Sequence, residues 1–139
     1  MKITVLALYV DKNKGFLLGV DKAGNHKLLG GRLEQKKTQV YDSIFEKRYE
    51  SDIECLFREV SEEAPGTIID KIQLYKPIVN GTSIQPHEIH VYRVTFKGKF
   101  RGPDRKEIIK VIYTWNPEKY KLSPATKLTF DELKKDYNF

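Results

Sequence analysis

Three glutamates, Glu59, Glu62 and Glu63, stand close together in a run whose hydrophobic spacing predicts a helix. Positions i, i+3 and i+4 share one side of a helix, so the three carboxylates repel one another. They also lie towards the helix C-terminus, where the helix dipole disfavours negative charge. A divalent cation would offset both effects, and Mg²⁺ or Mn²⁺ suits carboxylate ligands best. On spacing alone, a solvated acidic face is the alternative.

The helix that carries these glutamates is predicted from Ser51 to about Ala64. Ser51 and Glu54 form a capping-box pattern that places the helix start at Ser51. The apolar residues of this stretch recur at i, i+3, i+4 and i+7, which predicts a buried stripe made of Ile53, Leu56, Phe57 and Val60.

The remaining elements are predicted to be strands followed by a closing helix. The strands are expected at residues 3–10, 16–20, 68–69, 72–75, 90–96 and 108–115, with turns at glycine-containing breaks between them. A short helix is expected over residues 130–135, with Thr129 as its cap. No repeat or low-complexity linker divides the chain, so residues 1–139 are predicted to form a single α+β domain.

The glutamate run resembles the signature of the Nudix hydrolases, G-x5-E-x7-R-E-U-x-E-E-x-G-U, in which U is a bulky aliphatic residue. The segment Arg58-Glu59-Val60-Ser61-Glu62-Glu63 matches R-E-U-x-E-E at every fixed position. Glu50 lies eight residues before Arg58, where the signature has its first glutamate, and Gly30-Gly31 looks like the glycine turn. The resemblance implies an α/β/α sandwich with a mixed sheet.

The sequence departs from the signature in two places. Glu50 follows Gly31 by nineteen residues where the signature has six, so roughly residues 35–49 look like an insertion within the box. Helical spacing inside the insertion favours a packed helix that covers one side of the site; a dimer contact is the alternative. The expected final glycine is replaced by Pro65, with Gly66 one residue later, which affects the exit from the helix rather than the glutamates.

The resemblance implies a role for each matching residue. Glu59, Glu62 and Glu63 would bind Mg²⁺ or Mn²⁺, and Glu59 or a neighbour would act as the base towards water. The backbone carbonyl of Gly31 would approach the same metal, and its lack of a Cβ suits that approach. Arg58 and Glu50 would pair with each other and orient the carboxylates.

The resemblance also implies a further acidic ligand or base just before the last strand. Glu107 occupies that position, with an ordinary loop carboxylate as the alternative, and Glu88 is a weaker rival. His87 and His90 are three residues apart, which on a strand puts them on opposite faces and argues against a shared metal. Cys55 is expected to pack in the core. The tyrosines and Trp115 are also expected in the core, and stacking on a base is the alternative for them.

Composition is that of a globular protein, and no apolar run reaches the roughly 18 residues of a membrane-spanning helix. The apolar start runs into a charged segment with no cleavage site, so a buried first strand explains it better than a leader. The single cysteine excludes an intramolecular disulfide and fits the cytoplasm. The net charge of +6 suits an anionic substrate but also fits a solvated lysine-rich surface.

These features together predict a Mg²⁺-dependent pyrophosphohydrolase that cleaves the diphosphate linkage of a nucleotide or nucleoside-diphosphate derivative. The substrate within that class is open, and a homodimer is compatible with the sequence. Two alternatives remain: an enzyme that processes RNA 5′ ends, which the net charge motivates, and a Nudix-fold module that binds a nucleotide without cleaving it. The second usually lacks one of the box glutamates, and all of them are present here.

Overall fold

The computed structural model describes residues 2–41, 44–81, 86–100 and 107–137. Within these ranges the elements follow the chain as β1 (Lys2–Leu8), β2 (Val10–Asp11), β3 (Gly15–Asp21), β4 (His26–Lys27), β5 (Leu29–Arg32), β6 (Gln35–Tyr41), β7 (Ile44–Tyr49), α1 (Asp52–Glu63), β8 (Thr67–Gly81), β9 (Pro86–Gly98), β10 (Ile108–Thr114), a 3-10 turn (Pro117–Lys119) and α2 (Pro124–Tyr137). The chain is a single α+β domain, as the sequence predicts.

The described strands form a mixed sheet, an antiparallel sheet and a separate hairpin. The mixed sheet has the order β5-β1-β9-β8, and β1 runs parallel to β9 while the other neighbours are antiparallel. In the second sheet β3 lies between β10 and β2 and also pairs with β4. The parallel register sets Val5 opposite His90, so the first strand connects the glycine turn on β5 to the polar residues of β9.

Hydrophobic residues of β1 alternate between two core layers. Val5 and Ala7 pack with Leu56 and Val60 of α1, and Leu6 and Leu8 belong to a second cluster that includes Phe130 and Leu133 of α2. Because successive side chains of a strand point to opposite faces, a fully apolar strand feeds a core on each side. The helices therefore lie on either side of the strands, which confirms the predicted α/β/α sandwich.

Helix α1 begins where the sequence predicts. Ser51 accepts a hydrogen bond from the Glu54 N–H at 3.2 Å, and the Glu54 side chain accepts one from the Ser51 N–H, which completes the capping box. The predicted apolar stripe is partly wrong, because Ile53 and Phe57 are exposed. The buried side is rotated towards Cys55, Glu59 and Glu63.

The second helix is longer than predicted, and Thr129 is not its cap. The helix starts at Pro124, since proline is well tolerated in the first turn, where its missing N–H has no helical partner. Thr129 lies in the helix interior and donates from Oγ1 to the Ala125 carbonyl at 2.9 Å. In the part of the chain that the structure describes, no helix combines the length and apolar character required to span a membrane.

The helix expected within residues 35–49 is wrong, because Gln35–Tyr41 and Ile44–Tyr49 form two antiparallel strands, β6 and β7. Many residues of this segment are β-branched or aromatic, which lowers helix propensity and favours a strand. The ends of the strand pair are joined where the Glu50 N–H donates to the Glu34 carbonyl at 2.8 Å. Helix α1 begins two residues after this contact.

Candidate metal and diphosphate site

Three carboxylates, two from α1 and one from the segment before β10, converge beside the glycine turn. Glu59 and Glu63 lie one helical turn apart on the buried side of α1, and Glu107 lies immediately before β10. One oxygen from each of the three lies within 4.8 Å of the others. Such convergence of like charges is unfavourable without a cation, and it provides hard oxygen ligands for one.

Glu63 is the most enclosed of these carboxylates, with 3% of its side chain exposed. Its Oε1 accepts a hydrogen bond from the Gly30 N–H at 2.7 Å. Its Oε2 lies 3.0 Å from Nζ of Lys27 and forms an ion pair with it. Burial raises the pKa of Glu63 to about 7, although the Lys27 charge opposes that rise. Glu63 is therefore a buried carboxylate with a backbone donor at one oxygen and a cation at the other.

Glu59 lies against the glycine turn and against Arg58. Its Oε1 accepts a hydrogen bond from Nη1 of Arg58 at 2.8 Å. Burial raises the pKa of Glu59, and the Arg58 hydrogen bond partly counteracts this. A Cβ built on Gly31 would lie 2.5 Å from Oε1 of Glu59, so the absence of a side chain at Gly31 makes room for this carboxylate.

Arg58 and Glu50 form the pair that the resemblance implies. Nη2 of Arg58 lies 2.6 Å from Oε1 of Glu50, and Nε donates to Oε2 at 3.1 Å. The Glu50 side chain has no exposed surface and also accepts from the Glu34 N–H at 2.9 Å. The Arg58 hydrogen bond holds the pKa of Glu50 below its ordinary value, and Glu50 in turn raises the pKa of Arg58. Both groups are thus charged, and the pair fixes the guanidinium against Glu59.

Glu62 and the Gly31 carbonyl are the two predicted metal ligands that do not belong to the group of converging carboxylates. The Glu62 side chain is 47% exposed and lies 3.9 Å from Nη1 of Arg58, outside the group formed by Glu59, Glu63 and Glu107. The Gly31 carbonyl lies 3.6 Å from Sγ of Cys55, whereas the Gly30 carbonyl accepts a hydrogen bond from Nζ of Lys27 at 3.0 Å. Metal ligation by Glu62 and Gly31 stays a prediction.

The other residues singled out from the sequence lie outside this group. Glu88 accepts from Nε2 of His90 at 3.1 Å, and Nδ1 of His90 lies 2.7 Å from Asp52. His87 instead contacts Oγ1 of Thr4 at 2.8 Å, so the two histidines share no site. Cys55 is fully buried in the core, and Trp115 is exposed, contrary to the core position expected of it.

Lys27 is the residue of this site that sequence reasoning missed. It precedes Gly30 by three residues, at the end of the short strand β4, and nothing in its neighbours distinguishes it from the many surface lysines. The side chain is only 20% exposed. Its significance becomes apparent only when β4 and α1 are packed together.

No family sequence model matches the chain, and no curated protein matches it by sequence. Solved structures do match its fold. The NUDIX hydrolase from Nitrosomonas europaea is 17% identical with a TM-score of 0.67, covering 97% of this chain and 89% of that one. The MutT NUDIX hydrolase from Burkholderia pseudomallei is 17% identical with a TM-score of 0.65, covering 94% and 95%. An ADP-ribose pyrophosphatase from Streptococcus suis is 16% identical with a TM-score of 0.55, covering 90% and 81%. The chain therefore has the fold of these proteins.

Proposed function

We propose that this chain is a Nudix-type hydrolase that requires Mg²⁺ or Mn²⁺ and cleaves the diphosphate linkage of a nucleotide or nucleoside-diphosphate derivative. The observation that carries the proposal is the convergence of Glu59, Glu63 and Glu107 beside the glycine turn. The box motif on α1 and the shared fold with an ADP-ribose pyrophosphatase support the same reaction class.

The residues present fit a hard divalent cation. All three converging donors are carboxylate oxygens, which Mg²⁺ and Mn²⁺ prefer. Oε2 of Glu63 is buried beside the Lys27 ammonium at 3.0 Å, so this oxygen already lies where a cation is held. A bound cation would neutralise the substrate diphosphate and lower the pKa of bound water.

The proposal assigns a role to each residue of the site. In the proposal Glu59, Glu63 and Glu107 hold the metal, with Glu62 and the Gly31 carbonyl as further ligands. Glu59 or a neighbouring carboxylate accepts the proton of the attacking water. Arg58 and Glu50 are positioning residues, because their pair holds the guanidinium 2.8 Å from Oε1 of Glu59 and so limits the rotamers of that carboxylate.

RNA 5′ ends are the second candidate substrate, and the net charge of +6 favours them. In this proposal residues 35–49 are an insertion relative to the Nudix signature. This candidate predicts affinity for non-cleavable RNA that falls steeply with salt.

A non-catalytic nucleotide-binding module is the least favoured alternative, because every box glutamate is present. The cytoplasm is our proposed location, since the one cysteine, Cys55, is a buried thiol.

The test is hydrolysis by the purified protein. A panel of nucleoside triphosphates, sugar nucleotides, dinucleoside polyphosphates and triphosphorylated RNA is incubated with Mg²⁺ or Mn²⁺, and phosphate or pyrophosphate release is measured. We expect turnover of at least one substrate, and we expect Glu62→Gln and Glu63→Gln each to remove it while the circular dichroism spectrum is retained. Full turnover in both variants, or none by the wild type on the whole panel, would exclude the enzymatic function.

A further inference from the structure

The ammonium group of Lys27 contacts one of the carboxylates that we propose for the metal. Nζ donates to the Gly30 carbonyl at 3.0 Å and lies 3.0 Å from Oε2 of Glu63. A backbone carbonyl and a carboxylate are also the ligand types of a hard divalent cation. The negative charges of Glu63, Glu59 and Glu107 all act on this ammonium. Among the residues described, Lys27 is thus the cation that contacts Glu63, whereas Arg58 contacts Glu59.

The Gly30 peptide unit joins this lysine to the carboxylates. Its N–H donates to Oε1 of Glu63 at 2.7 Å, and its carbonyl accepts from Lys27. A Cβ at Gly30 would lie 2.0 Å from the Val5 carbonyl, so the peptide is confined against β1. Because the peptide is fixed on both sides, the flexible partner is the lysine side chain.

A metal bound to Oε2 of Glu63 would lie very close to the Lys27 ammonium. Two cations at that separation repel strongly in a partly enclosed site, where water screens little. The 20% of the side chain that is exposed and its four methylene groups give Lys27 a route towards solvent. The glutamates cannot withdraw as easily, because Glu63 is held by the Gly30 N–H and Glu59 by Arg58.

We propose that Lys27 is a tethered cation that takes the place of the metal, so that metal binding requires the ammonium to leave the Gly30 carbonyl and Glu63. This inference rests on the metal site of the proposed function and concerns metal affinity rather than hydrolysis. It makes Lys27 a positioning residue with two effects. It keeps the buried carboxylates together when no metal is bound, and it weakens metal binding by competing for Oε2 of Glu63.

A purely structural role for Lys27 predicts a different experimental result. If Lys27 only supported the fold, its removal would lower stability and leave metal affinity unchanged or reduced. If Lys27 competes with the metal, its removal lowers stability without metal and raises metal affinity. Metal affinity therefore separates the two roles.

The test measures Mn²⁺ binding to the full chain by the loss of the free Mn²⁺ electron paramagnetic resonance signal. Lys27→Met removes the charge and keeps the length, Lys27→Arg keeps the charge, and Lys22→Met is the control at an exposed turn. We expect Lys27→Met to bind Mn²⁺ about tenfold more tightly or better, given the removal of a like charge beside a divalent ion. Lys22→Met should bind Mn²⁺ as tightly as the wild type does, and Lys27→Arg should not show the tenfold increase in Mn²⁺ affinity. Unchanged or weaker binding by Lys27→Met, or no Mn²⁺ binding by any of these proteins, would overturn the inference.

A second measurement on the wild type covers the case in which Lys27→Met does not fold. The Nζ and Cε nuclei of Lys27 are followed by NMR while Mg²⁺ is added, and the carboxylate carbons of the glutamates report metal binding. The Lys27 signals should shift in step with the carboxylate signals. A Lys27 signal that does not move while the carboxylates bind Mg²⁺ would refute the displacement. This binding test uses no substrate, so it is independent of the hydrolysis panel. If Lys27→Met binds Mn²⁺ more tightly but the protein hydrolyses nothing in the panel, the proposed function is contradicted and this inference stands.

Discussion

Replacing Arg58 by methionine should destabilise the fold through Glu50. The Glu50 side chain is fully enclosed, and Arg58 supplies two of its hydrogen bonds and its opposite charge. Removal of one partner from a buried pair leaves an uncompensated charge and costs about 3–5 kcal/mol. Because 21% of the Arg58 side chain is exposed, water can partly replace it, and we expect the lower end of that range, about 3 kcal/mol. For a domain of this size that is roughly 10 °C in Tm.

Equilibrium unfolding in urea measures this cost, and a second substitution identifies its cause. Glu50→Gln removes the charge and keeps an oxygen acceptor for the Glu34 N–H. The double variant Arg58→Met with Glu50→Gln should therefore be more stable than Arg58→Met alone, which gives a large coupling energy in the double-mutant cycle.

The matched control is an ion pair between β7 and the first turn of α1. Arg48 and Glu54 form an ion pair at 3.1 Å with both side chains substantially exposed, and Arg48→Met should cost less than about 1 kcal/mol. A cost for Arg58→Met no larger than that of the control, or purely additive effects of the two substitutions at Arg58 and Glu50, would refute the reasoning.

Three other outcomes follow from the structure. Gly31→Ala should weaken Mn²⁺ binding about tenfold or more, because its Cβ would lie 2.5 Å from Oε1 of Glu59 and force that carboxylate out of place, whereas Gly24→Asn, at an open turn, should bind Mn²⁺ as the wild type does. Burial lowers the pKa of His90, but hydrogen bonds to Asp52 and Glu88 raise it overall. The stabilisation by protonated His90 is therefore complete below the unfolded pKa of about 6.5 and is lost as the pH rises through the folded pKa. In urea unfolding, the difference in stability between the wild type and His90→Gln should be larger at pH 6 than at pH 9. Burial raises the pKa of Cys55 to about 12, so iodoacetamide should modify the native thiol at pH 8 far more slowly than the thiol in urea, and equal rates would contradict its burial.

Features with a local cause could be predicted from the sequence. The start of α1 follows from Ser51 and Glu54, whose capping interactions lie within four residues of each other. The apolar run of β1 predicts a strand buried on both faces, and Val5 to Leu8 are all buried. The Arg58–Glu50 pair also matches the structure, although that expectation came from the Nudix resemblance and not from the spacing.

Features that depend on packing between distant segments could not be predicted in this way. Glu59 and Glu63 belong to the buried side of α1 because the glycine turn of β5 leaves room for them, whereas hydropathy assigned that side to Ile53 and Phe57. Residues 35–49 combine helical spacing with strand-forming residue types, and the described parts of this segment, β6 and β7, are strands. Lys27 enters the site through the pairing of β4 with β3, which no local pattern reveals.

The central claim, that Glu59, Glu63 and Glu107 hold a divalent cation, is tested most directly by anomalous diffraction at the manganese absorption edge from crystals grown with Mn²⁺. We predict an anomalous peak within coordination distance of carboxylate oxygens of Glu59, Glu63 and Glu107, with the Lys27 ammonium displaced from Glu63. A peak at another place on the molecule, or no peak at these carboxylates with millimolar Mn²⁺ present, would contradict the account.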